Sequence, residues 1–244
     1  MTFLGRFAGK VAVVTGAGGT MGAAVVRVLL EDGCRVGLVD LAPESMRALE
    51  AEFGGSVCAV ACDIADPAAV AAAHVQVVQR LGPVDVLVNN AGVLSNNKLE
   101  ATSVAEWRRV LGANLDGALF WAQAVVPSMK ARRWGRIVNL SSIASLTGNR
   151  GQVNYAAAKG ALNSATKSLA LELASRGITV NAVAPGIIGS GMAEAAFDAA
   201  MIDKLVPMKR AGRAEEVAAL VAFLVSDDAG YISGQVISIN GAMI

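Results

Sequence analysis

Histidine is nearly missing from this chain: His74 is the only one, and it stands in an Ala/Val/Gln-rich stretch with no partner in view. A hydrolytic Ser-His-Asp triad therefore lacks its base, and a packing or surface role is expected for His74. An excess of one charge is missing too. Lys and Arg total 21 against 20 Asp and Glu, a net charge of +1, so bulk electrostatics offers no hold on nucleic acid or a membrane surface. A small molecule is the expected partner, with no nucleic acid and no membrane. Cysteines are few and odd in number: Cys34, Cys58 and Cys62 lie in apolar, strand-like runs, which reads as reduced core thiols and no metal site. No long hydrophobic run follows Arg6 and Lys10, because the apolar stretch breaks at Gly16. Neither a signal peptide nor a membrane span is expected, and the cytoplasm is the default location. Linkers, internal repeats and low-complexity tracts are absent, so 1–244 is read as a single domain.

What is present is apolar and periodic. With 54% hydrophobic residues over 244 positions, the chain can bury a large core. Short β-branched runs at Val11 to Thr15, Arg35 to Val39, Ser56 to Cys62, Val84 to Val88, Gly135 to Leu140, Ile178 to Val183 and Gln235 to Ile239 alternate with segments of helical period near 20–32, 43–53, 67–81, 103–131, 153–175 and 214–226. Strands without polar alternation are buried on both faces. The expected fold is α/β: a single-domain, Rossmann-type, doubly wound parallel sheet of seven strands with helices on both faces. In such a sheet ligands bind at the carboxyl ends of the strands. Residues 190–207, Ala/Met-rich and without strand character, are expected to form a substrate lid.

Chemistry-bearing residues fall in those loops. In N154-Y-A-A-A-K159, Tyr155 and Lys159 are four apart and share a helix face. An ammonium beside a phenol favours phenolate, and Ser142, thirteen residues earlier, supplies a hydrogen-bond donor. The first strand ends in T15-G-A-G-G-T-M-G22, whose glycines let backbone N–H groups approach a pyrophosphate at the following helix start. Asp40 closes the second strand, where a carboxylate hydrogen-bonds the adenosine ribose and repels a 2'-phosphate. With no arginine in the loop or at Leu41, NAD is favoured over NADP.

T15-G-x-x-x-x-x-G22, Asp63, N89-N-A-G92, Asn114, Ser142, Y155-x-x-x-K159 and P185-G186 together resemble the short-chain dehydrogenases/reductases across essentially the whole chain. The branch most similar in N154-Y-A-A-A-K, S175-R-G-I-T-V-N-A-V-A-P-G and S226-D-D-A-G-Y-I-S-G is that of the 3-oxoacyl-acyl-carrier-protein reductases. The resemblance implies Tyr155 as acid/base, Lys159 lowering its pKa and binding the nicotinamide ribose, Ser142 holding the substrate oxygen, and Asn114 anchoring a water that links Lys159 to solvent. It also implies cofactor contacts from Gly16, Gly18, Gly19, Thr20, Met21, Gly22, Asp40, Leu41, Asp63, Ile64, Asn90, Ala91, Gly92, Tyr155, Lys159, Pro185, Gly186, Ile188 and Ser190.

Two positions depart from the family pattern. Thr20 replaces the usual middle glycine of the loop, and Asp40 departs from acyl-carrier-protein reductases, which generally take NADPH. The expected activity is NAD(H)-dependent interconversion of a secondary alcohol and a ketone. The alternatives are reduction of a 3-oxoacyl thioester on a carrier protein and a non-catalytic, dinucleotide-sensing regulator. Leu94, Ala144, Leu146, Ile187, Met192 and Phe197 are candidate pocket residues, and Arg132, Arg133 and Arg176 resemble carrier-gripping arginines. Trp107, Trp121 and Trp134 read as packing, and a homotetramer is the family expectation.

Overall fold

The computed structural model describes residues 5–189 and 198–244. Residues 190–197 of the expected lid, Ser190, Met192 and Phe197 among them, lie outside the described residues. Seven strands are formed: β1 (Val11–Thr15), β2 (Arg35–Asp40), β3 (Val57–Ala61), β4 (Val86–Asn89), β5 (Gly135–Leu140), β6 (Ile178–Pro185) and β7 (Val236–Ile239). They pair in parallel in the order β3-β2-β1-β4-β5-β6-β7. The order reverses between β1 and β4, where two loops part and a ligand cleft opens.

The helices are α1 (Thr20–Glu31), α2 (Arg47–Phe53), α3 (Pro67–Leu81), α4 (Val104–Leu111), α5 (Gly117–Arg132), α6 (Ala144–Thr147), α7 (Val153–Leu173), α8 (Ala199–Leu205) and α9 (Ala214–Val225). Alternate strand residues feed two cores. Val14, Val88 and Val138 meet Val25 and Leu29 of α1 and Val217 and Val221 of α9. On the other face, Val13, Leu87 and Ile137 meet Val77 of α3, Trp121 and Val125 of α5 and Leu173 of α7. Each such buried side chain contributes about 1.5–3 kcal/mol of transfer free energy, which is why no strand shows a polar face.

The strand ends differ from the sequence reading by one or two residues. The larger difference is in the helix expected over 103–131. Five residues, Gly112–Asp116, form a π-helical turn that separates α4 from α5, with the Gly117 N–H reaching back to Gly112 O. Wide turns of this kind expose side chains that a regular ladder would stack, and they gather at functional sites. Asn114 sits in the middle of this one. His74, on α3, packs its ring edge-on to Trp121 with centroids 6.4 Å apart, the expected packing role. Trp121 is fully buried. Trp134 meets two cations, with Lys10 Nζ 3.7 Å and Arg136 Cζ 4.4 Å from its ring centroid. No helix among the described residues is long and apolar enough to cross a membrane.

Candidate active site

The β1–α1 loop is built around close backbone approach. Gly16 has φ of 64°, a left-handed conformation, and a Cβ on Gly22 would stand 2.0 Å from Gly16 O. Thr15 joins this loop to the one after β4: its hydroxyl accepts from Asn90 N and Ala91 N, both at 3.0 Å. Asn90 returns the tie through its amide, which donates to Thr15 O at 2.9 Å and Gly16 O at 3.1 Å. Asn90 is thus a buttress of the glycine loop. The resulting cleft, about 530 Å³, is lined by Gly16, Gly19, Thr20, Met21, Gly22, Asp40, Leu41, Cys62, Asp63, Ile64, Asn90, Ala91 and Gly92, among others. Size and lining suit an adenosine pyrophosphate half, with Thr20 at the first turn of α1.

Asp40 is fixed by its own neighbourhood. Oδ2 accepts from Gly18 N at 3.0 Å and Oδ1 from Ala42 N at 3.2 Å. Gly18 does not line the cleft, because Ser45 covers it: a Cβ at 18 would lie 1.9 Å from Ser45 Oγ. Its N–H is engaged in orienting Asp40. Asp63 accepts from Ala65 N at 2.9 Å through Oδ1, which holds its carboxylate at the cleft.

The second group gathers around α7. Lys159 is 3% exposed and its Nζ donates to Leu140 O at 2.7 Å. Burial pushes its pKa down to about 8. Nζ stands 5.8 Å from the Tyr155 ring centroid. Burial raises the Tyr155 phenol above its ordinary value, opposed by a hydrogen bond with the Ser142 side chain. The Lys159 ammonium hydrogen-bonds the β5 carbonyl, and at the tyrosine desolvation outweighs the Ser142 hydrogen bond. Ser142 is held from below. Ser145 Oγ donates to Ser142 O at 2.5 Å and accepts from Asn163 Nδ2 at 2.8 Å, a buttress that the sequence reading missed. Asn114, 1% exposed, donates to Val93 O at 2.8 Å and Val110 O at 2.9 Å. Its Oδ1 is buried and has no hydrogen-bond partner among the described residues. A Cβ on Gly92 would stand 2.5 Å from that oxygen and 3.4 Å from Lys159 Nζ, so the relay residues and the cleft wall meet at Gly92.

At the end of β6, Ile143 N donates to Pro185 O and Gly186 N to Ile239 O, at 2.9 and 3.0 Å, which sets the Pro185–Gly186 turn beside the Ser142 loop. Ile187 and Ile188 line a separate cavity of about 380 Å³ with Val206, Met208 and Arg210. The candidate pocket residue Leu94 follows β4, while Ala144 and Leu146 are on α6. The three candidate carrier-gripping arginines are elsewhere. Arg132 Nη2 donates to Val84 O at 2.6 Å and Arg133 Nη2 to Ser175 O at 3.0 Å, and Arg176 precedes β6. All three are at the amino end of the sheet, opposite Tyr155, where at least two of them fasten loops.

A parallel sheet with this strand order, a glycine-loop cleft at its reversal and a Tyr/Lys/Ser cluster beside it defines a nicotinamide-dinucleotide oxidoreductase acting on CH–OH groups. The chain belongs to the short-chain dehydrogenase/reductase family: residues 16–243 match the family model described as Enoyl-(Acyl carrier protein) reductase. It is 40% identical over 240 residues to a 3-oxoacyl-acyl-carrier-protein reductase of Escherichia coli, covering 98% of each chain. It is also 40% identical to Nodulation protein G of Azospirillum brasilense (96% of this chain, 98% of the relative) and 38% identical to a Meso-2,3-butanediol dehydrogenase of Serratia marcescens (97% and 95%).

Proposed function

We propose that this protein is an NAD(H)-dependent oxidoreductase that interconverts a secondary alcohol and a ketone. The observation that carries this reading is Asp40: its carboxylate is at the cleft edge, held by two backbone N–H groups, and no Lys or Arg is among the lining residues. A fixed anion there accepts hydrogen bonds from ribose hydroxyls and repels a 2'-phosphate. A bound nicotinamide would supply or accept the hydride.

The protein's share is proton handling and orientation. In reduction, the Ser142 hydroxyl and the Tyr155 phenol hold the carbonyl oxygen, and Tyr155 passes its proton to that oxygen as the alcohol forms. A tyrosine phenol, which ordinarily titrates at about 10, carries that proton at neutral pH. In oxidation, the phenolate must form first, and the Lys159 cation beside it offsets the developing charge. The buried Asn114 Oδ1, without a partner among the described residues, supports a role in holding a water through which Lys159 would exchange its proton.

A second reading is favoured by the similarity to the E. coli reductase: reduction of a 3-oxoacyl thioester on a carrier. Retention of both Tyr155 and Lys159 argues against the sensing-regulator alternative. Steady-state turnover of NADH and NADPH with an acetoacetyl thioester and a panel of simple ketones tests both readings. Preference for NADH and ketones is expected; NADPH-driven thioester reduction would replace the first reading with the second. Tyr155→Phe is expected to lose at least ~100-fold in kcat, the scale of one general acid, with NADH affinity unchanged. Wild-type turnover in that variant would refute the mechanism.

A further inference from the structure

Glu106, on the first turn of α4, uses its two carboxylate oxygens for different tasks. Oε2 accepts from Ser103 N and Ser103 Oγ, both at 2.9 Å, and Ser103 Oγ accepts from Glu106 N at 3.2 Å. This is a capping box, which closes the start of α4. Oε1 faces the other way. It accepts from Asn97 Nδ2 at 2.7 Å and Ser95 Oγ at 3.0 Å, and both donors belong to the loop that follows Gly92.

That loop crosses to the segment preceding Tyr155. Asn97 N donates to Gly151 O at 2.9 Å. Gln152, the residue before α7, donates to Asn96 Oδ1 at 2.9 Å and accepts from Asn149 Nδ2 at 3.0 Å. The two loops thus close a belt of amide side chains over the carboxyl ends of β4 and β5, beside Ser142 and three residues from Tyr155. Its other end is Gly92, in contact distance of Asn114 and Lys159. Four hydrogen bonds on one carboxylate favour its ionised form, and the Glu106 pKa is lowered chiefly by the Ser103 N–H.

We propose that Glu106 is a positioning residue: Oε2 caps α4 while Oε1 fastens the 93–98 loop, and the fastened loop, tied in turn to Asn149–Gln152, sets the rim of the substrate aperture beside Ser142 and Tyr155. A helix cap needs only one of the oxygens. The second is directed at a loop that contributes nothing to α4 and that begins at Gly92 and Val93 in the cleft lining. The inference concerns how substrate is received and rests on the oxidoreductase reading, but the fastening has its own readout.

The two tasks separate by mutation. Asn97→Ala and Ser95→Ala cut the Oε1 tie and leave the capping box; Ser103→Ala cuts the box and leaves the tie. Each variant is compared with wild type by ketone KM and kcat, NADH affinity, thermal midpoint and hydrogen exchange of the 93–98 backbone. Asn97→Ala with Ser95→Ala is expected to raise KM ~10-fold, the scale of hydrogen bonds to a charged group, with little change in kcat, NADH affinity or midpoint, and to speed exchange over 93–98. Ser103→Ala is expected to lower the midpoint and leave KM and loop exchange as in wild type. If the tie variants exchange at the wild-type rate, or exchange faster with KM unmoved, the proposal is overturned. If wild type reduces no ketone with NADH, the oxidoreductase reading fails, and the exchange data still decide whether Glu106 fastens the loop.

Discussion

At the residue scale, Lys159 concentrates the conflict between stability and chemistry. A lysine that titrates near 10.4 when unfolded and at about 8 when folded costs up to roughly 3 kcal/mol of stability while it is charged and buried. The unfolded chain holds more protons between those two values, so this group's contribution rises with pH through that window and is lost again as pH falls through about 8. Lys159→Met should therefore unfold at higher denaturant than wild type at pH 7, and the gap should close by pH 10, while turnover falls by orders of magnitude. Urea titrations at the two pH values check this; a gap that does not shrink with pH would show that the ammonium is not what burial penalises. The spacing of Tyr155 and Lys159 was readable in the sequence because a helix converts four positions into one face. That the Lys159 ammonium meets Leu140 O was not readable, because β5 reaches it only through the fold.

At the element scale, the sequence marked all seven strands, since runs buried on both faces have no polar alternation to obscure them. It read 103–131 as one helix. The π-helical turn at Gly112–Asp116 leaves the apolar period almost undisturbed, so periodicity cannot reveal it, although it presents Asn114 to the site. The four-residue α6 is too short to show a period at all. The capping box of Ser103 and Glu106 is a local S-x-x-E pattern that the sequence reading passed over, and the partners of Oε1 come from another loop and have no local signature. The Pro43–Met46 turn illustrates the same limit: Ser45 lies on Gly18, and through Gly18 N on Asp40. Gly18→Ala would force that turn away, because the new Cβ would also stand 3.0 Å from Ser45 C in the backbone. NADH affinity is expected to fall ~10-fold, within the usual cost of overpacking, with the preference shifting toward NADPH. Fluorescence titration with both dinucleotides measures it; an unchanged ratio would mean that Asp40 keeps its place without this support.

At the scale of the whole molecule, two cores on either side of one sheet leave the cysteines enclosed. Cys34, Cys58 and Cys62 are free and buried, and burial pushes the Cys34 thiol up to about 12 and that of Cys62, beside the cleft, to about 11. None is expected to react with an aromatic disulfide reagent at pH 8 on the time scale of minutes, and all three should react in guanidinium. Fast modification of the native protein would show that the sheet opens locally far more often than its packing suggests. Thr15 has the widest consequence. Its hydroxyl serves residues 75 and 76 positions further along the chain, so the dinucleotide cleft does not exist until β4 has inserted beside β1. A nascent chain gains nothing from the dinucleotide before that moment and is drawn forward by it afterwards, which makes the metabolic supply of the coenzyme a late-acting partner in the protein's own maturation.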